Sequence, residues 1–153
     1  MGKTYLFIVA LCCVFFSEAQ TYEYQVITSV ESIIPSGAGR SRLISTNEAR
    51  NYQDFTSERT DGKKTKDKRN KSDRSEIRVK NFEETKLLNF FNIAGIRFQN
   101  IAANDAVITS KINTMSSDGW ELAFVTSAVE SDAGKNDGKG IFVTRYIFKR
   151  LKE

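Results

Sequence analysis

Apolar and polar residues alternate from residue 22 to residue 30. Tyr22, Tyr24, Val26, Thr28 and Val30 share one side, and Glu23, Gln25, Ile27 and Ser29 share the other. A period of two is that of a half-buried strand. Pro35 and Gly37 then break the strand, and Arg42, Leu43 and Ile44 read as a short return. Between residues 56 and 76 there is no apolar side chain, so this stretch has no face to bury and its ordering entropy goes uncompensated; it is expected to be a flexible loop. Beyond it, Phe82, Leu87, Leu88, Phe90, Phe91, Ile93, Ile96, Phe98 and Ile101 are too much apolar surface to leave in water, with residues 87–93 read as a short helix stopped by Gly95. Ala106, Val107, Ile108, Ile112 and Met115 recur at helical spacing, with Asn104 or Asp105 as N-cap and Gly119 just past the end.

Gly119 supplies the left-handed turn, and Trp120, Leu122 and Phe124 then alternate with Glu121, Ala123 and Val125 as a second strand. The lone tryptophan is expected to cover one end of the core, its indole N–H on a nearby carbonyl. A turn-forming loop follows, then a third strand with Phe142, Thr144, Tyr146 and Phe148 on one face. Strand, helix, strand, strand implies an α+β fold: a small twisted, mostly antiparallel sheet with at least one packed helix. A crossover from first to second strand leaves a gap that the returning third strand fills, so the third is expected to be central. One helix covers one face. Ile27, Val125, Ile141 and Ile147 are expected on the other, which needs a second layer: the Phe-rich segment, another subunit or a partner.

The first residues change the setting. Lys3, an apolar run from Tyr5 to Phe16 and then Ser17, Glu18 and Ala19 read as a secretory signal peptide, residues 1–19. The run is shorter than the about 20 apolar residues that span a bilayer. A lipid anchor on Cys12 or Cys13 is disfavoured, because Leu11 is too large for that cleavage and both thiols lie inside the apolar run. Residues 20–153 are therefore expected to form one exported α+β domain, periplasmic or extracellular, without cysteine or histidine. Disulfides, thiolate zinc, cysteine nucleophiles, serine–histidine triads and haem on histidine are then excluded. No cofactor is implied.

The net charge of +4 is concentrated. Residues 59–80 carry ten basic side chains against four acidic ones, so the rest of the chain sums to −2. Lys63, Lys64, Lys66, Lys68, Arg69 and Lys71 are candidate contacts for an anionic polymer or lipid surface, since lysine clusters bind polyanions by releasing counterions. No aromatic residue is interleaved for stacking on bases, so sequence-specific nucleic-acid binding is not expected, and a solvated tether is the plainer reading.

Three short motifs resemble those of a small bacterial domain family of unknown function: the opening Tyr22-Glu23-Tyr24, the step Gly119-Trp120-Glu121-Leu122, and the aromatic last strand Tyr146-Ile147-Phe148 closing on Lys149-Arg150. The resemblance spans the first strand and roughly the last third of the chain. It implies a β-α-β-β unit and brings no catalytic residues. The export signal, basic insert and Phe-rich connection are departures from that pattern.

Other chemistries are weakly represented. Glu83 with Glu84, and Asp132 with Asp137, are available acid pairs, but neither promises the desolvated carboxyl a general acid needs. Asp132, Asn136 and Asp137 do not have EF-hand spacing, and Lys135 and Lys139 repel a cation. Neither Gly37-Ala38-Gly39 nor the stretch from Gly134 to Lys139 has the glycines and following helix of a phosphate loop. The expectation is a non-enzymatic binding module of the envelope, with Phe82, Phe90, Phe91 and Phe98 or the apolar sheet face as interaction surface. The alternatives are a hydrolase using carboxylates alone and a polyanion binder acting through the insert. Gly119, Trp120, Leu122, Tyr146 and Phe148 are expected to be structural.

Overall fold

The computed structural model describes residues 20–58, 72–130 and 140–152. The strands are β1 (Tyr22–Ser32), β2 (Ser41–Ser45), β3 (Glu83–Leu87), β4 (Phe91–Asn92), β5 (Gly95–Ile96), β6 (Glu121–Glu130) and β7 (Ile141–Leu151). The helices are a single turn, α1 (Arg74–Ile77), and the long α2 (Phe98–Ser117). Five strands form one sheet in the order β3-β2-β1-β7-β6, with every neighbouring pair antiparallel, and β4 and β5 form a separate two-stranded hairpin. The fold is α+β. The last strand lies between β1 and β6, as expected, paired with β1 from Tyr22↔Leu151 to Ser32↔Ile141.

Helix α2 covers one face. Its end has the hydrogen bonds of a Schellman cap: Gly119, at φ +82°, donates to the Ser116 carbonyl, and Trp120 N donates to the Met115 carbonyl at 3.0 Å. That turn sends the chain directly into β6. Ile27, Leu43, Leu87, Ile108, Met115 and Phe148 form the core, with Val107, Ile112, Trp120 and Tyr146 packed against it. Mixed with these are buried Ser29, Glu31, Ser41, Ser45, Thr144 and Asn104. Small hydroxyl side chains on the sheet bring polar groups inside that must find partners.

Several expectations are corrected here. In β1 the face is reversed: Ile27 is core, whereas Tyr24 and Val26 are exposed. Register decides this, because Ile27 pairs with Tyr146, and β7 turns its Phe142-Thr144-Tyr146-Phe148 side to the helix. Alternation alone defines two faces but not which one is covered. In β6 a bulge between Leu122 and Phe124 breaks the period, so Leu122 and Val125 share the helix side while Phe124 moves to the open side. Ile141 and Ile147 lie on the open face as expected, but Ile27 and Val125 do not.

Residues 87–93 form no helix. β3 ends at Leu87, and Phe91-Asn92 pairs back on Gly95-Ile96, a hairpin that Gly95 at φ +112° permits. Helix α2 starts earlier than its N-cap signals, with Arg97 at the cap position, so Asn104 and Asp105 lie within it. Within the described residues the returning end of the insert is ordered: Asp73 N donates to Glu76 Oε2 at 3.0 Å and closes the turn α1. Its base is tied by Glu48, which accepts from Arg50, Lys80 N and Asn81, while Arg50 also donates to the Arg78 carbonyl.

Candidate interaction surface

The sheet face opposite α2 is a ladder of side chains read off the registers. From one end of β1 to the other the rows run Tyr24 and Lys149; Val26, Ile147 and Phe124; Thr28, Arg145 and Thr126; Val30, Val143 and Ala128; and Ser32, Ile141 and Glu130. Ile44 of β2 adjoins Thr28. The Ser32 row is covered by the turn that follows β1, where Ser32 Oγ donates to the Ala38 carbonyl at 2.8 Å and Ser32 is 1% exposed, whereas Phe124 is 61% exposed and Tyr24 64%. Two apolar rows therefore flank a polar one. At its centre is Arg145, exposed and without a carboxylate partner among the described residues. Of the cations nearer the margin, Arg42, which adjoins Val30, is engaged with Glu84 and Lys149 with Glu121, while Lys86 on β3 has no acid partner among the described residues.

The phenylalanines do not cover this face. Phe90 packs on Phe142, on the helix side, with ring centroids 6.5 Å apart, and its N–H donates to the Ser32 carbonyl. Phe91 is half-buried in the β4–β5 hairpin, where its carbonyl would lie 2.9 Å from a Cβ at Gly37, a position glycine also needs for its φ of +74°. Phe82 and Phe98 are exposed, on opposite sides of that hairpin in sequence and not in one cluster with Phe90. The segment divides into a packed pair and two exposed rings, so the choice left open by the sequence falls away from it: the second layer is not the Phe-rich stretch.

The sheet edges differ. β3 is short and carries Glu83, Glu84 and Lys86, which discourages further pairing. β6 runs ten residues, has charges only at Glu121 and Glu130, and is exposed throughout, with Leu122, Val125 and Val129 uncovered on its helix side.

The three motifs that carry the family resemblance meet at one end of the sheet. Arg150 lies over the Trp120 ring, 4.4 Å from its centroid, and donates twice to Glu23 Oε1 at 2.8 and 2.6 Å, with a longer bond to the Asp118 carbonyl. Trp120 is half-buried against the core, as expected, but its indole N–H makes no bond to a carbonyl among the described residues, and the ring's partner is this guanidinium. An open groove of about 940 Å³ beside it is lined by Tyr22, Glu23, Asp118, Glu121, Lys149, Arg150 and Lys152. Its charges are balanced and mostly paired, which suits a structural clamp. Gly119 ends the helix, Tyr146 and Phe148 face the core, and Leu122 is at its exposed margin.

One titratable group is buried deep in the fold. Glu31 accepts from Asn104 Nδ2 at 2.8 Å, and Asn104 also bonds both the N–H and the carbonyl of Leu88. Burial pushes the Glu31 carboxyl above its ordinary range, opposed by the Asn104 bond and aided by Asp105. Burial likewise raises the Tyr146 phenol, with Ser29 pulling the other way. Ser29 Oγ, fully buried, reaches no partner at full hydrogen-bonding geometry. Glu83 is held low by Lys111 and Ser45, and it and Glu84 point to opposite faces of β3, so they are not a pair. Among the described residues no three Asp or Glu side chains gather to hold a metal ion. Asp132, Asp137 and the candidate polyanion contacts Lys63, Lys64, Lys66, Lys68, Arg69 and Lys71 lie outside the described residues.

No protein-family model, curated protein or solved structure matches the chain. The interaction surface therefore rests on its own geometry. Sequence reasoning missed Val26, Phe124, Val143 and above all Arg145. The signal was present, as a charge interrupting the apolar side Ile141, Val143, Ile147 of an otherwise two-sided strand.

Proposed function

We propose that this chain is an exported, non-enzymatic binding module of the bacterial cell envelope, of the kind its short motifs resemble, and that the open sheet face is its contact surface. The observation that carries the reading is the uncovered pair of apolar rows Val26-Ile147-Phe124 and Val30-Val143-Ala128. A sheet normally buries its apolar faces against another layer, and contiguous exposed apolar surface marks interaction sites. The alternative of carboxylate-only hydrolysis would centre on Glu31, the acid with burial and a raised pKa. Its carboxyl is engaged in holding Asn104, and it does not line the groove at the sheet end, nor a groove between Ser45 and Phe82 or one between Arg50 and Glu76. Binding of polyanions through the insert remains the second alternative; its signature is loss of heparin or anionic-vesicle binding on shortening the insert and on adding salt.

The test has two parts. N-terminal sequencing of the protein recovered from the envelope should begin at Gln20. Native-envelope pull-downs with the wild type should retain a partner that Val26→Asp and Phe124→Asp lose and Phe98→Ser keeps. Retention by the first two variants with loss in the third would move the contact to the Phe-rich segment and overturn the assignment.

A further inference from the structure

Arg145 is placed where a contact surface can least tolerate an unmatched charge. It stands on β7, second from the β6 edge of the sheet, with Thr28 on one side, Thr126 on the other, and apolar rows above and below. Any occupant that covers those rows also desolvates the guanidinium, and a buried charge without a partner is strongly unfavourable. Resting on the reading of this face as the contact surface, we infer that it takes an amphipathic helix of a partner protein bearing an Asp or Glu in the middle of its apolar stripe, with Arg145 as the residue that selects it.

The spacing supports a helix. Same-face rows of a strand lie about 6.8 Å apart, two residues at about 3.4 Å each, while helix positions four residues apart are separated by about 6 Å. An acid at position i thus sits over Arg145 while apolar residues at i−4 and i+4 sit over Val26-Ile147-Phe124 and Val30-Val143-Ala128. A guanidinium presents a planar fork to a carboxylate, and the flanking threonine hydroxyls can complete the acceptor's remaining bonds. A second helix on this side would mirror α2 and make a three-layer arrangement.

Two other occupants fit poorly. On a bilayer, cations are best at the rim, where long side chains reach the head groups. Here the rim cations Arg42 and Lys149 are paired with acids, Lys86 on β3 is the one at the rim without an acid partner among the described residues, and Arg145 lies between the apolar rows, where it would face the acyl region. A second copy stacked face to face about a dyad through the middle would set Arg145 against its own equivalent, a like-charge contact that penalises the arrangement.

The probe is a pair of synthetic helical peptides of about 18 residues, long enough to hold a helix, with leucine at i−4, i−3, i+3 and i+4 and either Glu or Lys at i. Each is titrated into isotope-labelled protein and followed by amide shifts. The Glu peptide is expected to bind roughly tenfold tighter or more than the Lys peptide, with shifts centred on Val26, Val143, Ile147 and Phe124. Arg145→Glu, an exposed position where the fold should be retained, is expected to invert that preference. Equal affinity of both peptides on this face, abolished by Val26→Asp but unmoved by Arg145→Glu, would overturn the selector role and leave the contact surface standing. Shifts confined to other parts of the molecule, or no binding by either peptide, would overturn the inference. So would binding to anionic phosphatidylglycerol vesicles that Arg145→Glu abolishes, which would make the occupant a membrane.

Discussion

Asn104 shows how one polar side chain holds several elements at once. From inside α2 it bonds both backbone groups of Leu88 and the carboxyl of Glu31, joining the helix to the end of β3 and to β1. Asn104→Ala should leave the buried Glu31 carboxyl and the part-buried backbone groups of Leu88 without this partner and cost about 2–3 kcal/mol, since a group left buried and unsatisfied costs about 1–3 kcal/mol; urea denaturation measures it. Ser29 is the opposite case. Its hydroxyl is buried without a well-formed bond, so Ser29→Ala should be neutral or stabilising by up to about 1 kcal/mol. A marked destabilisation would show that the Tyr146 hydroxyl is its true partner. Trp120 and Arg150 act as a unit: Trp120→Ala should cost about 3 kcal/mol, and in a double-mutant cycle with Arg150→Ala the two losses should fall short of additivity by about 0.5–1 kcal/mol, the worth of a partly exposed cation–π contact.

At the scale of elements, the insert and the two sheet edges are where composition and structure speak together. Glu48, Arg50, Arg78, Lys80 and Asn81 clamp the base of the insert, so residues between the clamp's two sides can be shortened without loosening it. Replacing residues 59–71 by a short Gly/Ser linker should leave the melting transition intact, each halving of loop length adding only about 0.6 kcal/mol through closure entropy. A large loss would mean that the shortened residues contact the domain. β6 differs from β3 in having no charge between its ends. A central lysine guards such an edge, so Val129→Lys, already 58% exposed, should reduce concentration-dependent light scattering while changing stability by less than about 0.5 kcal/mol.

For the whole molecule, two sets of carboxyls set the pH response in opposite senses. Glu48 and Glu83 are held below the ordinary value of 4.5, so their contribution is present above it and is lost as the pH falls through their folded-state values. Glu31 is raised above 4.5, chiefly by burial. Its contribution is fully present below 4.5 and lost as the pH rises through its folded-state value. Glu31→Gln keeps an acceptor for Asn104 and has no charge to desolvate. Its melting temperature should therefore fall less than that of the wild type as the pH rises above 4.5, while the acid limb is unchanged. Parallel profiles for the two proteins would remove Glu31 as the cause.

By itself the chain determined what depends on local pattern. The period of two in β1 and β7, the helical spacing from Ala106 to Met115, the left-handed turn at Gly119 and the place of the last strand between β1 and β6 all follow from short-range chemistry and chain connection. The absence of apolar residues in the insert likewise marked it before any fold was known. Only the tertiary structure decided which face of β1 is covered, because alternation is symmetric until a partner strand fixes the register. It also decided that a bulge at Ala123 carries Phe124 to the open face, that Asn104 is a buried tie rather than a cap, and that the Phe-rich segment folds as a hairpin. Each of these depends on residues far apart in sequence. Arg145 stands between the two: its charge was visible in the strand, but its isolation among apolar rows exists only once β1, β7 and β6 lie side by side.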